Sequence, residues 1–172
     1  FILDRGYFSK ENIHFMDKNG YEFIIMMKGM KSLVRDLVLS VKGSFEEKRE
    51  YSLRDYKVNG ITVKHQLYPS DEKERYFHIY YNERKQTAER YQVIDEEIAL
   101  CGYFVIITSE KMDAADALDL YKSRDASEKL FREDKTFLGN RTMRCQSNEA
   151  LHAKIFIGFV ALIIRNRIHF LL

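Results

Sequence analysis

Three short apolar runs punctuate the chain: Phe1-Ile2-Leu3, residues 21–27 and residues 102–108. The second and third are unbroken enough to read as strands buried on both faces. The first is too short for periodicity to decide, but it ends at Asp4-Arg5-Gly6. A strand ending in an acid and a glycine turn delivers the carboxylate to the carboxyl edge of a sheet, where open α/β sheets bind ligands. A loop aspartate capping a turn gives the same local sequence. Between the first two runs, Ser9 and Asn12 open a short helix through about residue 19, with Ile13, Phe15 and Met16 as its apolar contacts and Asn19-Gly20 as its end. Strand, acid, helix, strand is a βαβ order with a right-handed crossover. A further short helix is expected over residues 32–39.

From about residue 41 to 97 the charge density rises and the pattern turns to strands. Asn59-Gly60 between alternating apolar residues predicts a tight hairpin turn. Residues 75–81 are a tyrosine-rich strand whose rings suit packing better than base stacking. Residues 83–100 read as helical. The β-rich region is taken as an insertion in an α/β core, not a separate domain. That gives a βαβ core over about 1–40, the insertion over about 41–100, and a strand with two helices over 101–172.

The first of those helices carries the most informative spacing. Asp113 and Asp116 supply an N-cap and a first-turn acid, and alanine, leucine, lysine and glutamate dominate the helix body. At 3.6 residues per turn, Tyr121, Arg124, Glu128 and Lys135 fall within about 60° of one another. Such a stripe can meet a polyanion and a metal ion. The same spacing also makes Arg124 and Glu128 an ordinary solvated ion pair worth a few tenths of a kcal/mol. The last helix, over residues 148–170, presents Leu151, Ile155, Phe159, Leu162 and Ile163 for packing and reads as a core helix.

Composition narrows the classes. With 172 residues, 45% apolar and 31% charged, the chain is long enough for one domain with a core. A net charge of +2 makes any contact with DNA a local one. Cys101 and Cys145 are far apart, and the histidines at 14, 65, 78, 152 and 169 lack metal-ligand spacing. Zinc and disulfide frameworks are therefore not indicated, and a reducing cytosol fits. The apolar run over 155–164 is too short to span a bilayer, and no signal peptide is visible.

Tyr121-x2-Arg124-x3-Glu128-x6-Lys135, together with FILDRGYFSKENI and LHAKIFIGFVALII, resembles the bacterial insertion-sequence transposases with a DDE triad, a YREK signature and an RNase H-like fold. The resemblance covers nearly the whole chain. It implies a partial RNase H-like α/β fold with the β-rich insertion between the second acidic strand and the glutamate helix. It also implies metal-dependent cleavage and transfer of DNA strands. Asp4 would be the second acid and Glu128 the third, both binding Mg²⁺, or Mn²⁺ in its place. Tyr121, Arg124 and Lys135 would hold the DNA backbone. Expected partners are the transposon ends and target DNA, with a homodimer in the intact parent and a bacterial, nucleoid-associated setting. The triad's first Asp is expected on a strand preceding Phe1, which would leave these residues inactive by themselves. The other reading is a non-catalytic remnant that only binds DNA or serves as an interaction module.

Overall fold

The computed structural model describes residues 1–90, 95–136 and 145–171. They form two compact units, Phe1–Lys122 and Ser123–Leu172. The first unit is a mixed α/β structure on one six-stranded sheet. Its strands are β1 (Ile2–Leu3), β2 (Ile24–Met26), β3 (Ser52–Leu53), β4 (Val58–Gln66), β5 (Glu74–Tyr81) and β6 (Tyr103–Thr108), in the order β1-β2-β6-β5-β4-β3. Only β1 and β2 run parallel; the other neighbours are antiparallel. The strands of the β-rich region therefore extend the same sheet as the parallel pair, with β6 joining the two parts.

Two helices cover one face. α1 (Lys10–Lys18) starts at Ser9, whose hydroxyl accepts the Asn12 amide at 3.1 Å, and stops where Gly20 turns to φ +66°. It buries Ile13 and Met16 but leaves Phe15 exposed, tilted against Tyr21. α2 (Lys31–Val41) buries Leu33, Leu37, Val38 and Val41, a spacing that places all four on one stripe. Both pack on Ile25, Phe77, Ile79, Val105 and Ile107, alternate residues of three strands. Each such side chain contributes about 1.5–3 kcal/mol on burial. The opposite face is built from Ile24, Val58, Tyr80 and Ile106. It receives Ala114, Ala117, Leu118 and Tyr121 from the first turns of α4 (Ala114–Thr136).

Residues 59–60 do not form the hairpin turn that Asn-Gly predicts. They lie inside β4, paired with Tyr81 and Tyr80. Gly60 is there for space: a Cβ would come within 2.9 Å of the Tyr80 ring and 3.1 Å of the Ala114 Cβ. Asn59 is held by its side chain, whose amide donates to the carbonyls of Phe45 and Lys48. The β4–β5 connection falls instead at residues 67–73. The helical reading of residues 83–100 resolves into α3 (Glu83–Arg90) and a 3₁₀ turn over Asp95–Leu100; residues 91–94 lie outside the described residues.

Two polar clusters lock the sheet. Arg75, 3% exposed, donates to Asp17 on α1 and to Asp71 before β5, and Lys73 adds a 2.6 Å contact to Asp17. His78, fully buried, has Nδ1 2.9 Å from the Thr62 hydroxyl and Nε2 2.9 Å from that of Thr108. The Thr108 hydroxyl donates to the Glu110 carbonyl at 2.8 Å, so it accepts from His78 Nε2–H. Thr62 then donates to Nδ1, which fixes the tautomer. Burial pushes the imidazole pKa down to about 4, against a weaker opposing pull from Asp113.

The second unit contains the later turns of α4 and α5 (Asn148–Leu171). The core-helix reading of α5 is not met: Ile155, Phe159 and Ile163 are 46–61% exposed, and Phe156, Ile157 and Ile164 are exposed too. A helix apolar on so many sides needs cover from several directions, and this unit offers α5 only one other described helix.

Candidate active site

Asp4 follows β1 directly, and the turn around it is tightly specified. Its carboxylate Oδ1 accepts the Gly6 amide at 2.7 Å, and its carbonyl accepts the Tyr7 amide at 2.9 Å, closing a 3₁₀ turn over Arg5–Tyr7. A Cβ on Gly6 would lie 3.2 Å from that same Oδ1, so glycine lets the carboxylate fold onto the backbone. The strand that carries it, which periodicity leaves undecided, is only partly buried. Ile2 is 36% exposed and Leu3 half-buried, because β2 is the only neighbour of β1 among the described residues. Asp4 itself is exposed, at the carboxyl end of the parallel pair.

The four motif residues of α4 have different surroundings. Asp113 caps the helix as predicted, its Oδ1 accepting the Asp116 amide at 2.8 Å. Tyr121 is 5% exposed within the cluster that α4 forms on the sheet. That burial gives it a packing role, on the sheet-facing side of the stripe. An aromatic ring near the sheet-facing side of a helix gains more from the core than from solvent. Arg124 is half-buried and its Nη1 lies 2.6 Å from Oε1 of exposed Glu128. Lys135 falls within α4, but its side chain lies outside the described residues, as do Arg141 and Arg144.

Asp4 and Glu128 are carboxylates exposed to solvent, and their hard oxygens suit a divalent cation such as Mg²⁺, which keeps several waters of its own. Among the described residues no group of three or more histidine, cysteine, aspartate and glutamate side chains is arranged to hold a metal. None of the described helices is long and apolar enough to cross a membrane.

Sequence reasoning missed the Arg75 and His78 clusters. Both join side chains far apart along the chain, Asp17 with Arg75 and Thr62 with His78 and Thr108, and no local spacing signals them.

The transposase DDE domain family model matches residues 1–164. The chain belongs to that family, whose members are DNA-transposition enzymes that generally use divalent metals. No curated protein and no solved structure matches the chain.

Proposed function

We propose that the chain forms part of the RNase H-like catalytic domain of a bacterial insertion-sequence transposase. It supplies the second acid, Asp4, and the third, Glu128. The observation that carries this reading is the Asp4 turn: a carboxylate presented at the carboxyl end of a parallel strand pair, within a stretch matched by the DDE family. Among the described residues β1 stands at the edge of the sheet. Tyr121, Arg124, Glu128 and Lys135 are the chain's form of the YREK signature.

Asp4 and Glu128 would hold Mg²⁺, with Mn²⁺ able to replace it. The metal supplies activation of the attacking hydroxyl and stabilisation of the leaving oxygen in an in-line displacement at phosphorus. The chain's residues contribute positioning and charge. The Gly6 amide fixes one oxygen of Asp4, which limits the carboxylate's rotation. Arg124 orients Glu128 through their 2.6 Å contact and brings a guanidinium suited to a backbone phosphate. Tyr121 anchors the helix that carries both. Lys135 adds a point charge for the DNA backbone. Contacts of this kind position a strand and do not read its sequence. The partners are transposon ends and target DNA, with pairing of two protomers and action on the bacterial nucleoid.

One observation favours the second reading, a remnant that only binds: the Arg124–Glu128 pair is what a plain i,i+4 surface pair would also form. Strand chemistry separates the two. In the full gene product acting on supercoiled DNA with Mg²⁺, Asp4→Asn and Glu128→Gln should each lower nicking and joining at least about a hundredfold, with DNA binding retained. Undiminished activity in both variants would reject the catalytic assignment.

A further inference from the structure

A cavity of about 510 Å³ lies at the sheet end beside the Asp4 turn. Arg5 and Lys31 line it, over walls that include Met26, Val34, Leu100 and Phe104. None of the described residues lining it is acidic, whereas the cavity of about 820 Å³ includes Glu50 and Asp113, and the one of about 670 Å³ includes Glu46, Glu47 and Glu83. The cavity thus brings an arginine and a lysine onto one largely apolar surface.

The backbone fixes where both cations stand. Arg5 begins the turn that Asp4 caps, and its own carbonyl accepts the Phe8 amide at 3.2 Å, so the turn is bonded at both ends. Its Cα is one residue, about 3.8 Å, from that of Asp4. Lys31 opens α2 after Gly29 and Met30, which are both left-handed, at φ +73° and φ +48°. A left-handed methionine is a strained conformation. Here that turn links β2 to α2, whose first residue lines the cavity.

We propose that Arg5 and Lys31 form a seat for a backbone phosphate of the DNA strand that runs past Asp4, a phosphate neighbouring the one that reacts. This rests on the transposase reading and adds two positioning residues that the α4 motif does not include. Arg5 contributes a planar fork able to bond two phosphate oxygens, and Lys31 contributes a point charge. Because Arg5 and Asp4 share one rigid turn, a phosphate held by Arg5 fixes the strand's register relative to the acid. A free nucleotide offers the same phosphate chemistry, and the test separates the two.

The test measures binding of a fluorescent duplex of about 20 base pairs across a salt series. It compares the chain with the double variant Arg5→Ala/Lys31→Ala, with Arg5→Lys, with Arg124→Ala, and with Lys48→Ala at another cavity as control. Both target side chains are exposed, and a melting curve checks that each variant folds. The double variant should bind at least about tenfold more weakly at low salt, and its log K against log salt slope should be shallower by about 1.8, the value for two lost contacts. Arg5→Lys should keep the slope and lose part of the affinity, and Lys48→Ala should match the parent. An unchanged slope in the double variant, with Arg124→Ala still weakened, overturns the seat and leaves the transposase reading standing. No change in either variant overturns both. Deoxyadenosine monophosphate bound as tightly as the duplex overturns the assignment to DNA.

Discussion

Gly60 and Tyr80 face each other across β4 and β5, and the tyrosine ring occupies the space a side chain at Gly60 would need. The Tyr80 hydroxyl passes on to donate to the Ala114 carbonyl at 2.8 Å, at the start of α4. One missing methyl group thus lets β4, β5 and the glutamate-bearing helix meet. In an ordinary strand, replacing glycine by alanine stabilises by about 0.5–1 kcal/mol. Here Gly60→Ala should destabilise by about 1–3 kcal/mol, because the ring and Ala114 must move. Urea denaturation followed by circular dichroism reads the sign directly, and a raised midpoint would refute the close approach.

His78 makes the fold sensitive to acid. Its folded pKa of about 4 lies below the ordinary value of 6.5, so the unfolded chain binds the proton more readily. The stabilisation is complete above pH 6.5 and is lost as pH falls towards 4, by about 3 kcal/mol in all. Denaturation midpoints should fall across that window. His78→Gln should lower stability at about pH 7.5 but flatten the dependence between about pH 6.5 and 4.5. An equally steep dependence in the variant would show that other groups cause it.

Arg75 ties α1 to the β4–β5 connection. Its guanidinium bonds both Asp17 and Asp71, whose side chains are 10% and 8% exposed. Arg75→Ala leaves two carboxylates in a poorly solvated setting and should cost about 3–5 kcal/mol. Asp17→Asn removes one charge of the network and should cost less. No loss in Asp17→Asn beside a full loss in Arg75→Ala, measured by chemical denaturation, would mean that the network acts by packing and not by charge.

The sequence was most legible where structure is decided within a few residues. Ser9, Asn19-Gly20 and Asp113 cap their helices as their residue types predict, and Asp4-Arg5-Gly6 folds into the expected turn. Asn59-Gly60 misled because glycine serves two needs, a positive φ or a missing Cβ, and the letters do not distinguish them. The spacing of Tyr121, Arg124, Glu128 and Lys135 placed all four on one helix, but spacing could not tell that Tyr121 would be drawn into the sheet cluster. Likewise, the apolar run in α5 implied burial, but burial needs neighbours that a local pattern does not specify. The Arg5 and Lys31 cavity was illegible for a related reason: its two cations are far apart along the chain and meet only through the β1–β2 pairing.

The central claim is that Asp4 and Glu128 serve a divalent metal. Calorimetric titration of the chain with Mn²⁺ tests it most directly, alongside Asp4→Asn, Glu128→Gln and, as a control acid outside the site, Asp55→Asn. The prediction is that Asp4→Asn and Glu128→Gln each weaken binding at least about tenfold, the loss of a carboxylate ligand being worth about 1.4 kcal/mol or more, while Asp55→Asn binds as the parent does. Unchanged affinity in both Asp4→Asn and Glu128→Gln would contradict the assignment and leave the α4 stripe as a solvated helix face.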